Sequence, residues 1–292
     1  EGLLCRALLT QQVDQVEQIN KLAYTWEWQP QPLQLANTLR KGTWLVFGRE
    51  QELTEKLTSA LKVNHTNSVI PVDTRYIYQQ SHAAIRTLNS DQLVRIKSIV
   101  QLAQQQGCVG IAYLWGIQTD IHATDSAVDP VGIEQTCVAM QIMQLLNEVF
   151  SENSPRLYFV TQGVQAVTNT DAIDHLAQSP LVGFARVALN EFPGFRCSLI
   201  DLENTHVDQQ VEKLKTELLA NSDEDDVAFR NSERFVHRLM HLEIKSNEEM
   251  LSKDEIVNAA QIDAFQFEWG HNPIFREINH SETIPDDVVE IE

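Results

Sequence analysis

Short apolar segments alternate with longer amphipathic ones from residue 42 to residue 241. We predict strands at the short segments, because they are rich in β-branched and aromatic residues and are bounded by polar or turn residues. Several are apolar at almost every position, which is typical of strands covered on both faces of a sheet. The predicted strands are 43–47, 68–72, 110–115, 156–161, 196–202 and 227–230.

Segments between these strands have the apolar spacing of helices. In residues 90–107 the apolar side chains keep to one helical face, and a glycine ends the pattern. Residues 133–150 are apolar almost all round, which predicts a deeply packed helix. Residues 179–194 predict a helix with Ser179 as N-cap and Pro180 in the first turn. Such alternation predicts an α/β fold with a doubly wound parallel sheet and right-handed crossovers.

The first strand and helix have the outline of a nucleotide-binding βαβ unit without its glycines. A G-x-G-x-x-G turn needs three glycines, for the tight turn, for close approach of pyrophosphate and for helix–strand contact. Gly48 is the one glycine here, and Arg49, Glu50 and Glu52 follow it. The two carboxylates would repel a phosphate at the helix N-terminus, where backbone N–H groups normally attract anions. We therefore predict a degenerate turn that binds no cofactor.

Motifs for other chemistries are missing from the sequence. A short-chain reductase needs a tyrosine acid with a nearby lysine or asparagine, and the chain has no Y-x-x-x-K or Y-x-x-x-N. It also has no G-x-S-x-G elbow, no P-loop and no H-E-x-x-H. His237 and His241 lie four apart on a predicted strand with no third ligand patterned beside them. We predict no catalytic residue and no metal site.

Charge and composition limit the classes of partner that this chain is expected to bind. The formal net charge is −19, and such a surface repels phosphate backbones, so nucleic acid is not an expected partner. No run of about 18 apolar residues and no signal peptide is found, so we expect no membrane partner and a cytoplasmic protein. The cysteines make no close pair and are expected to pack as free thiols. They are Cys5, Cys108, Cys137 and Cys197.

An ordered series of motifs resembles the ketoreductase region of polyketide synthases. YTWEWQPQPL is similar to the linker strand that opens the region, and GTWLVFGREQEL to its degenerate first Rossmann turn. AQSPLVGFARVALNEFPGFRCSLIDL is similar to the block Q-x-P-L-x-G-x-x-R with its later E-x-P and D-L. Further similar segments are GIAYLWGIQ (110–118), RLYFVTQGVQAV (156–167) and the closing hairpin DVAFRNSERFVHRL (226–239).

The resemblance is to the structural subdomain of that region, also called a pseudo-ketoreductase, and to its relative in vertebrate fatty acid synthase. It implies a truncated Rossmann-like fold of the short-chain dehydrogenase/reductase type, which braces a catalytic half and carries no active-site residues. The residues that carry the resemblance form a structural signature. They are Trp115, Gly163, Gln165, Gln178, Pro180, Leu181, Gly183, Arg186, Glu191, Pro193, Asp201 and Arg234.

The resemblance also implies a division of the chain. Residues 1–13 resemble the end of a dehydratase domain, and residues 14–41 a linker with the opening strand. Residues 42–241 are the Rossmann-like subdomain, 242–271 a linker, and 272–292 the start of an enoyl reductase domain. Both ends look cut, so we expect a segment of a longer polyketide synthase.

The implied function is structural. The subdomain would brace the catalytic ketoreductase half and organise the neighbouring dehydratase, enoyl reductase and acyl carrier domains of a homodimeric parent. NADPH and phosphopantetheine are expected elsewhere in that parent. Tyr24, Trp26 and Trp28 share one predicted strand face, and Trp26, Trp28 and Trp269 are candidate interface contacts. The alternative is a divergent NADPH-binding ketoreductase that acts on a carrier-bound 3-ketoacyl chain.

Overall fold

The computed structural model describes most of the central part of the chain. The described residues are 22–33, 40–48, 51–62, 67–73, 87–117, 130–151, 153–171, 173–220, 222–242, 265–268 and 274–277. The chain divides into two compact units, which are described separately. One is Trp26–Met240, and the other combines Glu1–Thr25 with His241–Glu292.

Strands and helices alternate along the larger unit. The strands are β1 (Tyr24–Pro30), β2 (Thr43–Gly48), β3 (Ser68–Asp73), β4 (Cys108–Tyr113), β5 (Arg156–Gln162), β6 (Ser198–Leu202), β7 (Asp226–Arg230) and β8 (Glu233–His241). The helices are α1 (Gln51–Leu61), α2 (Ser90–Gln105), α3 (Pro130–Val149), α4 (Ser179–Glu191) and α5 (Val207–Ala220), with 3-10 turns at Leu176–Gln178 and Pro193–Phe195. Each of the six predicted strands overlaps an observed one.

The strands form one eight-stranded sheet in the order β1-β8-β7-β6-β5-β4-β2-β3. All neighbours from β3 to β7 pair in parallel, and β7 and β8 pair as an antiparallel hairpin. The hairpin turn is Asn231–Ser232, and both residues have positive φ, as a two-residue type I′ turn requires. The doubly wound α/β fold is confirmed, with a mixed rather than fully parallel sheet at the β8 edge.

Two hydrophobic cores lie on opposite faces of this sheet. The core on the first face is formed by α2, α3 and α4 over strands that include β2, β4, β5 and β6. The core on the second face is formed by α1 and α5, and it also takes side chains from β7 and β8. Every described position of β2, β5 and β6 is buried, which explains why these strands are almost continuously apolar.

Local signals fix the ends of α2. The Asn89 side chain accepts a hydrogen bond from the Gln92 backbone N–H at 3.0 Å, and the Gln92 side chain accepts one from the Asn89 N–H at 2.8 Å. This capping box satisfies two donors that the helix itself leaves unpaired. Gly107 follows the helix with φ of +71°, a conformation that ends helices and favours glycine. The predicted helix and its glycine stop are confirmed.

The start of α4 differs from the prediction. Ser179 is the first helical residue rather than the N-cap, and Gln178 holds the cap position without a side-chain cap hydrogen bond. The physical reason is that the 3-10 turn Leu176–Gln178 runs directly into the helix. Its turn takes the place of a polar cap. Pro180 lies in the first turn as predicted, where its missing N–H costs nothing.

The described cysteines are free thiols. Cys197 is buried, Cys108 and Cys137 are half-buried, and Cys5 lies outside the described residues. Burial raises the pKa of the Cys108 and Cys197 thiols to about 12 each. These two thiols are therefore protonated at neutral pH and behave as small apolar groups.

The second unit contributes strands β9 (Phe265–Glu268) and β10 (Ile274–Glu277), which pair antiparallel. Strand β9 lies within the segment predicted as a linker. Residues 1–13 and most of 272–292 lie outside the described residues, as does Trp269, so the predicted domain boundaries stay predictions. Within the described residues, no helix combines the length and the apolar character needed to cross a membrane.

Candidate functional site

The topology identifies where this fold would take a ligand. Strand β2 has β3 on one side and β4 on the other, so the chain reverses direction across the sheet between β2 and β4. In open α/β sheets, ligands bind outside the carboxyl ends of the strands at this switch point. Here the Leu114 backbone N–H, just after β4, donates to the Phe47 carbonyl at 2.8 Å. The candidate site is therefore the edge formed by the ends of β2, β4, β5 and β6.

At the end of β2, the helix packs directly against Gly48. A Cβ placed on Gly48 would lie 1.8 Å from the Thr54 Oγ1, so the Thr54 side chain fills the space above the glycine. The G-x-G-x-x-G spacing counted from Gly48 places Leu53 where the third glycine would be. Leu53 is buried in the core of the second face. The turn is thus held by side-chain packing where a dinucleotide turn uses glycines.

The charges at the start of α1 are partly compensated. Glu52 lies in the first helical turn, exposed, and its carboxylate is 3.0 Å from the Lys56 Nζ. Lys56 also binds Asp208 at 2.7 Å, so one cation faces two carboxylates. Arg49 and Glu50, the other predicted members of the degenerate turn, lie outside the described residues. The described part of the turn is net negative, which disfavours a phosphate.

At the end of β4, apolar side chains fill the edge. Trp115 is 1% exposed, and its ring stacks on Phe47 with centroids 6.3 Å apart. A Cβ on the neighbouring Gly116 would lie 2.3 Å from the Leu181 Cδ2 of α4. The signature residues Trp115 and Leu181 therefore meet at this edge and close it from the side of α4.

At the end of β5, Gly163 and Gln178 tie the following loop to the sheet. The Gly163 N–H donates to the Leu202 carbonyl of β6 at 2.9 Å, and Gly163 has φ of +58°, which favours glycine. The Gln178 side-chain oxygen accepts from the Gln162 backbone N–H at 3.0 Å, and Gln178 is 1% exposed. Both signature residues thus serve the backbone of the strand end.

A buried ion pair lies beneath this loop. Asp201 on β6 is fully buried, and its Oδ2 lies 2.5 Å from the Arg230 Nη2 of β7. Its carboxylate also accepts from the Thr161 hydroxyl at 2.7 Å and from the N–H groups of Val164 and Gln165 at 3.3 and 3.2 Å. Burial raises the pKa of the Asp201 carboxyl, and the bonds from Arg230 and Thr161 oppose that rise.

Arg230 joins this pair to the rest of the loop. Its Nε lies 2.8 Å from the Asp171 Oδ2, and its Nη2 donates to the Gln165 carbonyl at 2.6 Å. Burial acts to raise the pKa of Asp171, but the hydrogen bonds from Thr168 and Val167 and the charge of Arg230 hold it below its usual value. A buried charge must be paired to be tolerated, and here each charge has its partner. The arrangement clamps the loop between β5 and α4 onto β6 and β7.

Arg186 extends the clamp to the surface. Its Nη2 donates to the Gln165 Oε1 at 2.9 Å and lies 3.0 Å from the Asp226 Oδ2. The Gln165 Nε2 donates to the other Asp226 oxygen at 3.2 Å. The signature residues Gln165 and Arg186 thus bridge α4 and the start of β7. No atom of this network points to a reacting group.

Arg234 makes a second buried ion pair, at the β8 end of the sheet. Its Nε and Nη2 lie 2.7 and 2.9 Å from the two oxygens of Glu217 on α5, and both side chains are almost fully buried. Its Nη1 donates to the Gln31 carbonyl at 3.0 Å. Two parallel bonds of this kind fix the geometry as well as the charge. Arg234 therefore joins α5, β8 and the segment after β1.

The remaining signature residues lie on or near α4. Glu191 ends the helix, and Pro193 begins the next 3-10 turn. Gly183 is exposed, and an added Cβ would meet no atom within 4 Å. Val187, one turn later on the same helix face, is 55% exposed, and Met140 on α3 is 45% exposed. An apolar helical surface with an open glycine thus faces outward.

The two histidines pack against aromatic rings. His237 stacks on Trp28 with centroids 4.5 Å apart and lies 4.9 Å from the Trp26 ring. In the other unit, His241 meets Tyr24 edge-on at 5.5 Å. Among the residues that the structure describes, no group of three His, Cys, Asp or Glu side chains is arranged to hold a metal ion.

The predicted signature contains one partner of each of three ion pairs, at Asp201, Arg186 and Arg234. The other partners, Arg230, Asp226 and Glu217, are not in the signature, yet each completes a buried or half-buried ion pair. A usable signal was present for Asp201 and Arg230. Each is a charged residue inside an otherwise apolar strand, and a charge in such a position requires a partner.

Comparisons with known proteins agree with this fold. A family model described as the Rossmann fold domain of polyketide synthase extender module SpnB matches residues 26–239. A mycocerosic acid synthase-like polyketide synthase of Mycobacterium tuberculosis is 28% identical over 227 residues, which are 76% of this chain and 10% of that protein. The phthioceranic/hydroxyphthioceranic acid synthase of the same organism is 40% identical over 96 residues, which are 32% of this chain and 4% of that protein. The chain spans a tenth or less of these relatives.

Solved structures share the architecture. A C2-type ketoreductase from a modular polyketide synthase is 21% identical and matches with a TM-score of 0.55, over 76% of this chain and 44% of that one. The ketoreductase-containing structure of a keto acid-selecting NRPS module matches at 18% identity and a TM-score of 0.58, over 75% of this chain and 18% of that one. At these identities the likeness shows the fold. The family match covers 214 of the 292 residues, so the chain belongs to the family of Rossmann fold domains of polyketide synthase extender modules.

Proposed function

We propose that this chain is a non-catalytic structural subdomain of a polyketide synthase. It braces a catalytic ketoreductase half and helps to organise the dehydratase, enoyl reductase and acyl carrier domains of the same polypeptide. The relatives in Mycobacterium tuberculosis are large synthases of which this chain spans a small part, which supports neighbouring domains in cis.

The observation that carries the proposal is the filled edge at the switch point. Thr54 occupies the space above Gly48, and the Leu181 side chain packs where a larger residue at 116 would stand. Trp115, at the end of β4, is 1% exposed and belongs to the same core cluster as Leu181. A dinucleotide needs close backbone approach at this edge, and these side chains take up that space.

The described tyrosines support the same proposal. Tyr113 and Tyr158 are 1% and 2% exposed and lie within the sheet core. Burial raises the pKa of the Tyr158 hydroxyl, which is the opposite of what a catalytic tyrosine acid requires. Tyr76 and Tyr78 lie outside the described residues. Tyr24 is 54% exposed and lies on β1, outside the candidate site. A divergent NADPH-binding ketoreductase would therefore need an acid other than Tyr113 and Tyr158.

The outward face of α4 is the proposed brace. A Cβ added to Gly183 would meet no atom within 4 Å, so no packing within the described subdomain requires a glycine at this position. A glycine inside a helix costs about 1 kcal/mol relative to alanine. That cost is compensated if another helix packs closely on the glycine, and the exposed Val187, one turn later on the same face of α4, would extend the contact.

The experiment is the Gly183→Leu substitution in both the 292-residue chain and the full-length synthase. We expect the chain alone to keep or slightly raise its free energy of unfolding, because leucine favours the helix. We expect ketoreduction by the full-length synthase to fall, because the new side chain blocks docking of the catalytic half. Gln101→Leu, at an exposed position of α2, is the matched control and leaves ketoreduction unchanged. Full ketoreduction by the Gly183→Leu synthase would refute the proposed brace.

A further inference from the structure

A groove runs beside the C-terminal half of α4, on a part of the sheet that no helix of the described chain covers. The core on the first face of the sheet, formed by α2, α3 and α4, takes side chains from β2 to β6 and none from β7 or β8. Outside it lies a cavity of about 640 Å³ between α4 and the outer strands. We call it the α4 groove. Its lining combines aromatic, apolar, acidic and basic side chains, which are Trp26, Arg186, Leu189, Asn190, Asp223, Glu224, Asp225, Asp226, His237 and Arg238.

The floor of the α4 groove carries an exposed indole that is held in place. Trp26 is 61% exposed in this chain. Tryptophan is enriched at protein–protein interfaces, where a partner buries it. Its ring rests on the His237 ring at 4.9 Å, and His237 is itself stacked on Trp28. The indole is therefore ordered before any partner arrives, so that binding would cost little side-chain entropy.

The rim of the α4 groove is acidic. Asp223, Glu224, Asp225 and Asp226 follow one another along it. Three of them are paired, with Arg196 at 2.6 Å, Arg238 at 2.6 Å and Arg186 at 3.0 Å respectively. Within the described part of the chain, the exposed Asp225 carboxylate makes no ion pair.

The surroundings of Asp225 favour an added positive charge. Burial, and then repulsion from Glu224 and Asp226, raise the pKa of its carboxyl against the attraction of Arg156. A cation placed beside Asp225 would relieve this repulsion. Asp225 and Trp26 line the same cavity.

We propose that the α4 groove docks a basic segment of a partner protein, with an arginine guanidinium stacked on Trp26 and paired with Asp225. A planar guanidinium suits both contacts, since it stacks on aromatic faces and binds carboxylates. Leu189 offers apolar contact for the aliphatic part of the same segment. A second copy of this chain is a poorer match, because two chains of formal net charge −19 repel each other. The α4 groove adjoins the Gly183 face, because Arg186, which lines the groove, lies three residues after Gly183 on α4. The inference goes beyond the proposed function, since the 292-residue chain alone tests it without a catalytic half.

The test is a fluorescence anisotropy titration of the 292-residue chain with a labelled peptide of repeating arginine, leucine and glycine. The control peptide has citrulline in place of each arginine, which keeps the shape and removes the charge. We expect the arginine peptide to bind, and the citrulline peptide to bind about tenfold more weakly or not at all. Equal binding of both peptides, or no binding of the arginine peptide, overturns the proposal.

Substitutions then locate the site. Trp26→Ala and Asp225→Asn should each weaken binding about fivefold or more. Asp91→Asn, which removes the same charge from exposed α2, should leave the affinity within about twofold, since it lies outside the groove. Circular dichroism confirms that each variant is folded, and Trp26→Thr, which suits a strand and removes the aromatic ring, replaces Trp26→Ala if the latter does not fold. If all the groove variants bind like wild type, the attraction is the general negative charge of the chain and the proposal is wrong.

Discussion

The buried carboxylate of Asp201 gives the most demanding test of the structural role of the signature residues. The substitution Asp201→Ala removes the ion pair with Arg230 and the acceptor for Thr161, Val164 N–H and Gln165 N–H. Breaking a buried ion pair from one side costs about 3–5 kcal/mol, because the other charge stays buried. Here Arg230 keeps Asp171 at 2.8 Å, so we expect the lower part of that range, about 3 kcal/mol.

The assay is urea denaturation of the 292-residue chain, followed by far-ultraviolet circular dichroism. Since domains are stable by about 5–15 kcal/mol, the Asp201→Ala chain should remain folded in water with a clearly lower midpoint. The matched control is Asp208→Ala, an aspartate that is 64% exposed and paired with Lys56. It should lower the urea midpoint far less than Asp201→Ala does, because the pair with Lys56 is screened by solvent. A loss below about 1 kcal/mol for Asp201→Ala, or equal losses for both variants, would show that the buried pair does not hold the loop.

Further substitutions and a pH titration test other parts of the structure. Gly48→Ala should destabilise the chain by about 2 kcal/mol in urea denaturation, because its Cβ collides with Thr54. Adding Thr54→Ala should restore part of the lost stability. A Gly48→Ala chain as stable as wild type would contradict the packing of Thr54 on the glycine. The hydrogen bond from Arg238 lowers the pKa of Glu224 from the usual glutamate value of 4.5. The pair therefore stabilises the fold fully above pH 4.5, and this stabilisation is lost as the pH falls through the lowered pKa of the folded state. The unfolding free energy of wild type should therefore fall more steeply with acidification than that of Arg238→Met, and parallel curves would refute this. Cys197, with its pKa raised to about 12, should react with a disulfide reagent in urea and resist it in buffer, and fast reaction in buffer would contradict its burial.

The fold class was predictable because the relevant signals are local. The apolar strands and one amphipathic helix with a glycine stop each depend on a few consecutive residues, and they appear in the structure. The predicted start of α4 was wrong by one residue, because the 3-10 turn that precedes the helix leaves no pattern of polar residues in the sequence. Boundaries of this kind depend on how two elements join.

The contacts around the candidate site were harder to predict because they join distant parts of the chain. Gln165, Arg186 and Asp226 come from a loop, a helix and a strand, and no spacing in the sequence indicates that they meet. The filling of the Gly48 turn by Thr54 was also not predicted. The sequence predicts that the large charged side chains after Gly48 exclude a phosphate by their size and charge, and the structure adds the packing of Thr54 on the glycine. The part played by Arg49 and Glu50 stays a prediction.

Isothermal titration calorimetry of the 292-residue chain with NADPH tests whether the chain has a working cofactor site. We expect no saturable heat of binding, because side chains of the chain itself fill the edge at the end of β2 and β4. Micromolar binding at one site per chain would contradict it.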